Sequence, residues 1–416
     1  MKAIFTTALR YRVTATCVSP LRTGGMERDQ QEILRYADGT PFLQGTSLAG
    51  AMNAWRSDGD LFGDRTRPSS LIVSDLIFEG LEATVRPRLA IDAVTGAAAR
   101  GAKFDVAAMP AGTVGTFSLT WTGTEAAEIA AAKIEAYLQA MHWGVITLGA
   151  QKSNGYGRVS LQVQKRTYLL TAPADRKAWL QGEDIADWQT LSLPEFTDED
   201  VTFLIAAKVD NLLVKDATGE GTGETSIHAR QMRQGGQPIV PGSSIKGILR
   251  GQINRMLPSI SGADAAMVDD FLGRSAAGND NGIAGKVRFS DGEISNSKII
   301  VASRNRIDRI TGGTMNRGLF AEETVAGDLS FRIRAPKAYP AGLGLLLFAL
   351  RDLGLGLCEL GSGSNVGRGR LYDLQVQIRC GDRTASLSCK DGAVSVTDND
   401  GLIAQWNKAL KEGGSK

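Results

Sequence analysis

The sequence predicts an α+β fold made of two tandem ferredoxin-like (βαββαβ) domains. Three observations carry that expectation. First, LGAQKSNGYGRV (Leu148–Val159) returns as LGSGSNVGRGRL (Leu360–Leu371), with Leu148, Gly149, Gly155, Gly157 and Arg158 matching Leu360, Gly361, Gly367, Gly369 and Arg370. Second, other pairs follow in the same order. FLQGTSLAGAMNAWR (Phe42–Arg56) resembles IVPGSSIKGILRGQI (Ile239–Ile253), and LFGDRTRPSSLIVSD resembles FLGRSAAGNDNGIAGKVRFSD. RLAIDAVTG (Arg88–Gly96) resembles RNRIDRITG (Arg304–Gly312). Collinear matches of this kind point to internal duplication. Third, each half reads as strand, helix, strand, long insertion, strand, helix, Gly-rich loop, strand, which is the ferredoxin-like order.

The elements are justified in turn. The first half has strand-like runs near Tyr11–Val18, Leu71–Phe78, Phe117–Trp121 and Gly157–Gln164. Its helices fall near Ser47–Arg56 and Glu125–Met141, the latter with Ile129, Ile134, Tyr137, Leu138 and Met141 at roughly helical spacing. In the second half the strands fall near Phe203–Val209, Lys286–Phe289, Leu329–Ile333 and Leu371–Ile378, the helices near Ser244–Leu257 and Ala341–Leu353. The expected division is a first repeat over 1–165, a connector over 166–200, a second repeat over 201–378 and a C-terminal extension over 379–416. The connector is polar and holds Pro173 and Pro194, yet Trp179 and Trp188 require something to pack on. The extension shows two short strand-like runs and a helix near Leu402–Leu410.

Composition narrows the function. A chain of 416 residues is long enough for two cores. The net charge of +2 points to no partner by itself, so any polyanion contact must come from local Arg/Lys clusters. Aromatic residues are only 6%, which argues against binding single strands mainly by base stacking. The four cysteines form no CxxC pair and read as reduced thiols. Two histidines are too few for a His-rich metal site. The longest apolar run, Ala341–Leu350, is too short to span a membrane, so no membrane role and a cytoplasmic location are expected.

The Gly-rich stretches resemble phosphate loops but fail the tests for nucleotide cofactors. Neither supplies Lys-Ser/Thr after its last Gly, as a Walker loop requires, and both follow a helix and lead into a strand, the reverse of a dinucleotide fingerprint. At IVPGSSIKG, Gly242 permits a tight turn and Ser243 or Ser244 is expected to cap a helix. Plain capping accounts for one hydroxyl. Alternatively the helix start, with Lys246 and Arg250 one turn apart, is an anion site. Thr46 and Ser47 hold the matching place in the first repeat. The insertions carry IDAVTG and IDRITG: Ile91, Asp92 and Thr95, then Ile307, Asp308, Arg309 and Thr311, read as projecting hairpins. A helix start, a basic hairpin and a Gly-Arg loop, each repeated, suit a polymer clamp on a long anion, with RNA the natural candidate. In that clamp Lys152, Asn154 and Arg158, and then Asn365, Arg368 and Arg370, supply contacts. Gly361, Gly363, Gly367 and Gly369 would let RNA approach the main chain.

GSSIKG, the FLG and FSD elements, RIDRITG with LFAEE, and GSNVGRGRL together resemble the RAMP superfamily, the backbone subunits of CRISPR type III effector complexes. The first half is a diverged copy, with Gln44, Thr46 and Ala49 in place of the Pro, Ser and Lys. A two-repeat chain is similar to the fused backbone subunits of type III-D complexes. The resemblance implies RRM-like palms that hold guide RNA (crRNA) and thumb hairpins that wedge into the guide–target duplex. Its partners would be crRNA, complementary target RNA and the other effector subunits. It also implies an Asp before the GSS turn that supports metal-dependent target cleavage, with Mg²⁺ as the metal and no nucleotide cofactor. Asp29 is the best match by position, as catalytic and metal-binding residue. Asp38 lies in a DG turn and reads as structural. The second repeat has His228 at the corresponding place, so its site is active only if Asp216 or Glu224 reaches in. Two other functions stay open: an RNA-binding subunit that cuts nothing, and a metal-independent endoribonuclease that processes guide precursors with His228 as an acid–base group.

Overall fold

The protein is described here by a computed structural model covering residues 5–24, 32–80, 82–91, 98–124, 126–182, 187–196, 200–216, 227–275 and 281–412. These residues divide into two compact units, the first carrying most of the first repeat and the second most of the second.

The first unit opens with β1 (Thr7–Cys17), β2 (Phe42–Leu43), α1 (Gly45–Trp55) and the short α2 (Gly59–Phe62). There follow β3 (Leu71–Val73), β4 (Leu76–Phe78), β5 (Thr84–Ile91), β6 (Ala98–Ala108), β7 (Val114–Gly123), α3 (Ala127–His142) and β8 (Val159–Leu169). The connector supplies α4 (Pro173–Gln181) and β9 (Gln189–Leu191). The main sheet runs β2-β4-β7-β1-β8-β9, with β3 also beside β7, and its pairs are antiparallel. Alternation sets the layers, because successive side chains of a strand point to opposite faces. Leu9, Tyr11, Val13, Ala15 and Cys17 of β1 enter one core with Leu48 and Met52 of α1 and Ile134, Leu138 and Met141 of α3.

The connector is built onto this sheet. Trp179 of α4 lies 5.2 Å from the Tyr168 ring and 4.4 Å from the Arg10 guanidinium. Arg12 sits 4.3 Å over Trp188. Such cation–π contacts, about 0.5–1 kcal/mol each at exposed sites, give both tryptophans their packing partners. The helix itself was not expected. Its face is polar, so periodicity is silent, although Pro173 at its first turn is a recognised start signal.

The second unit begins with β10 (Val201–Leu212), β11 (Ile227–Ala229), β12 (Arg233–Gln234), β13 (Gln237–Val240), α5 (Gly242–Met256) and α6 (Ala265–Leu272). It continues through β14 (Arg288–Phe289), β15 (Gly292–Ile307), β16 (Thr314–Ala335), α7 (Pro340–Gly354) and β17 (Tyr372–Cys380), and ends with β18 (Arg383–Lys390), β19 (Ala393–Thr397) and α8 (Leu402–Glu412). Its sheet runs β12-β13-β15-β16-β10-β17-β18-β19, with β11 and β14 also beside β16. The architecture is therefore mixed α+β with largely antiparallel sheets, as expected. The insertion departs from expectation in scale. Where short strands were expected, β15 and β16 form one continuous hairpin of 16 and 22 residues. The strands expected at Lys286–Phe289 and Leu329–Ile333 fall on β14 and the core end of β16; β15 was missed as a strand, because beyond Ile294 most of its residues are exposed and carry no core signal.

The C-terminal extension completes the second core. β18 pairs with β17, β19 with β18, and Trp406 of α8 is 2% exposed with its ring 5.8 Å from Phe203. Among the described residues no helix is long and apolar enough to cross a membrane.

If the extension is integral, Trp406→Ala should cost about 3–5 kcal/mol in urea unfolding, the usual range for emptying a buried aromatic site. A loss below about 1 kcal/mol would show the tail to be an independent appendage.

Candidate nucleic-acid interface

Each helix start is organised by a carboxylate from another strand. The expected capping by Ser243 or Ser244 does not occur: the cap position of α5 is Pro241, that of α1 is Gln44, and no side chain of the cap residue bonds the first turn. Instead Asp75 Oδ1 accepts the Gly45 N–H at 2.7 Å, and Asp291 Oδ1 accepts the Gly242 N–H at 2.9 Å. The residues before them act as a second matched pair. Ser74 Oγ accepts the Ser118 N–H and Ser290 Oγ the Arg332 N–H, both at 2.8 Å. The anion attracted to the positive end of each helix is thus partly the chain's own.

These approaches demand glycine. A Cβ on Gly45 would lie 2.3 Å from the Val73 carbonyl oxygen, and one on Gly242 would lie 2.5 Å from that of Phe289. The hydroxyls are left off capping duty: Thr46 and Ser47 are exposed, Ser243 and Ser244 half-buried. In the first repeat Asp75 Oδ2 also accepts the Tyr36 hydroxyl at 2.6 Å, and Tyr36 stacks on Phe42 at 4.0 Å. That hydrogen bond pushes the Tyr36 phenol up to about 12. Its stabilisation holds below the ordinary phenol range of about 10 and is lost as the pH rises through 12.

The two Gly-rich loops share one geometry. Leu148 N–H bonds Gly157 O, and Leu360 N–H bonds Gly369 O, each at 2.8 Å. Ala150 N–H bonds Arg22 O at 3.0 Å, and Ser362 N–H bonds Leu213 O at 2.7 Å. Each loop carries one 3₁₀ turn, Lys152–Asn154 and Ser364–Val366. The glycines serve this internal packing. A Cβ on Gly157 or Gly369 would meet the Leu148 or Leu360 carbonyl oxygen at 1.9 Å. The expected role of Gly361 and Gly369 in admitting RNA to the main chain is corrected accordingly: the approach they permit is to the chain's own backbone, Leu213 and Leu360.

The charged candidates separate into two groups. Arg368 is not a surface contact: it is 2% exposed and pairs with Glu322 at 2.8 Å. Arg250 is likewise drawn inward, bonding Asp269 and the Gly273 carbonyl, while Arg274 also holds Asp269 at 3.2 Å. Asn365 and Arg370 are exposed, the latter with its guanidinium 5.6 Å from the Tyr372 ring. Lys152, Asn154, Arg158 and Lys246 are half-buried. Sequence reasoning missed Asp75 and Asp291, although the repeated Ser-Asp was the available signal. It also missed Glu322 and Glu323, two carboxylates inside LFAEE; Glu323 pairs with Arg233 at 2.6 Å.

The second hairpin's motif is a turn device. Asp308 Oδ1 accepts the N–H groups of Ile310 and Thr311 at 2.8 Å and the Thr311 hydroxyl at 3.1 Å. These bonds hold the Asp308 carboxyl below the usual range, so their contribution is present at neutral pH and is lost as pH falls through that lowered value. The turn leaves Ile310 96% exposed, with Ile307 and Arg309 exposed beside it. Ile91 ends β5, whereas Asp92 and Thr95 lie outside the described residues, as do Asp29 and Glu224. Asp38 accepts the Thr40 N–H at 2.9 Å within its turn. The Asp216 N–H bonds the Arg230 carbonyl. His228 lies on β11 rather than in a loose loop, its Nδ1 3.3 Å from the Ala321 N–H. Among the described residues no group of three or more His, Cys, Asp or Glu could hold a metal ion.

A double-mutant cycle tests the buried pair. By position in the repeat, Tyr156 and Val106, both buried, stand where the second repeat has Arg368 and Glu322. Arg368→Tyr or Glu322→Val alone should cost about 3–5 kcal/mol by stranding a buried charge, and the double substitution should recover most of it. Additive losses in chemical denaturation would refute the coupling.

The family model of the RAMP superfamily matches residues 14–160 and 216–372, together most of the chain. No match is found among curated proteins. The two matched segments are the two halves that share the helix starts and loops described above. The chain belongs to the RAMP superfamily, as a CRISPR-associated RNA-binding protein with two fused RAMP domains.

Proposed function

We propose that the chain is a backbone subunit of a type III CRISPR effector complex, of the fused type III-D-like kind, gripping crRNA and the guide–target duplex. The observation that carries this reading is the doubling of one loop geometry, with the same backbone bonds at Leu148/Gly157 and Leu360/Gly369. Two copies of one grip suit a ligand with a repeating backbone. The ferredoxin-like palm is supported by strand orders β4-β7-β1-β8 and β15-β16-β10-β17, which place the second, third, first and fourth strands side by side. The thumb reading is supported by the apolar exposure of the second hairpin at Ile307, Ile310, Met315 and Leu319. An apolar tip held by an Asx-type turn is suited to wedging between stacked bases.

Cleavage of target RNA is proposed for the first repeat only, with Asp29 holding Mg²⁺. Bound there, the cation would stabilise charge developing on the phosphate. His228 is a poor Mg²⁺ ligand, so the second repeat would bind without cutting. Metal-independent processing gains little from the histidines, since both imidazoles take backbone partners, His228 at Ala321 and His142 at Leu161.

In the assembled complex, Asp29→Ala should remove one cut from the target ladder and leave assembly intact; an unchanged ladder would refute the catalytic assignment. EDTA should abolish cutting of target, and specific cleavage of repeat RNA by the isolated protein in EDTA would favour the processing enzyme instead. Lys246→Ala and Arg370→Ala should each lower the salt slope of RNA binding by up to about 0.7, across all sequences. A loss confined to one sequence would argue against a backbone grip.

A further inference from the structure

We infer that Arg88 is a phosphodiester-contacting residue of the first repeat, held ready by Tyr156 and Gln151. Arg88 lies on β5, the strand that leads into the first hairpin, and is half-buried. Its Nη1 donates to Gln151 Oε1 at 3.1 Å, and its guanidinium sits 5.2 Å from the centre of the Tyr156 ring. Gln151 and Tyr156 flank the 3₁₀ turn of the Gly-rich loop. Arg88, Gln151 and Tyr156 all belong to the first unit.

Three features give this placement a chemical meaning. The contacts of Arg88 among the described residues are an amide and an aromatic face, both neutral, so its charge is oriented without being cancelled. A guanidinium has five N–H donors in a rigid fork, and stacking with one amide bond leaves donors at its edge for phosphate oxygens. Finally, Tyr156 is 2% exposed, yet its hydroxyl has no hydrogen-bond partner among the described residues. Such a buried hydroxyl is a place where a group from outside the chain completes the bonding. Arg86 lies 5.6 Å over the same ring.

The second repeat differs at the place of the ring. Arg368 stands at the Tyr156 position and is neutralised by Glu322, and Arg233 is neutralised by Glu323. Arg304 matches Arg88 in the repeat, so what differs is its neighbour: a neutral ring in the first repeat, a closed ion pair in the second. At this place the first repeat adds a salt-sensitive contact that the Arg368–Glu322 pair does not.

The inference rests on the RNA-binding reading of the family. Its test measures the affinity of the full chain for a 5′-labelled single-stranded RNA by fluorescence anisotropy over a range of NaCl concentrations. Arg88→Gln should lower the slope of log affinity against log salt by about 0.7, one single-strand phosphate contact, while Arg88→Lys keeps the slope. Joint replacement of Arg368 by Tyr and Glu322 by Val, which removes one charge of each sign, should leave the slope unchanged. Thermal melting confirms that each variant is folded. A wild-type slope for folded Arg88→Gln, or a reduced slope for the joint variant, overturns the assignment alone. Failure of the wild-type protein to bind the RNA at all overturns the reading beneath it.

Discussion

The fold depends on two places where backbone meets backbone too closely for any side chain. Gly157 and Gly369 adopt φ of +85° and +80°, in the left-handed region where glycine is at ease. Each brings the segment before a strand against a residue six positions beyond the end of a helix. The same loops then bond the segment after the first strand, at Arg22 and Leu213. One contact therefore ties the first strand, second helix and last strand of each repeat. A 3₁₀ turn lies within each of these loops, Lys152–Asn154 and Ser364–Val366. The conspicuous glycine content is explained by architecture before any ligand is considered.

The carboxylates of Asp75 and Asp291 do comparable work at the other end of the site. Each reaches from the end of a strand segment to the first N–H of a helix and sets how that helix leaves the sheet. This bond is made in both repeats. What diverged includes the positions of Tyr156 and Val106 in one repeat, which correspond to Arg368 and Glu322 in the other. Burying an ion pair and burying an apolar pair are near-equivalent for stability when both partners change together. They are not equivalent for the electric field that a polyanion meets.

Much of this was legible in the sequence. The repeat, the α+β class, the core helices and the family resemblance all followed from residue types at matching positions. The errors share a physical origin. Ser243 and Ser244 look like caps because capping is normally local, whereas the actual acceptor comes from Asp291, far along the chain. Arg368 and Arg250 look like surface cations because arginine seldom buries, and only tertiary structure reveals Glu322 and Asp269 beside them. The long arms of β15 and β16 and the polar helix α4 escaped for the converse reason: they bury too little to leave a periodic trace. Arg88 opens the first hairpin motif in the sequence. Its partners, Gln151 and Tyr156, lie too far along the chain for spacing to join them.

The most direct measurement of the central claim is photo-crosslinking of the protein to guide RNA, with peptides mapped by mass spectrometry. The account predicts crosslinks in both Gly-rich loops, Gln151–Gly155 and Ser362–Gly367, and at both helix starts, Thr46–Ser47 and Ser243–Ser244. Crosslinks confined to the outer faces of the sheets, or to one repeat alone, would contradict it.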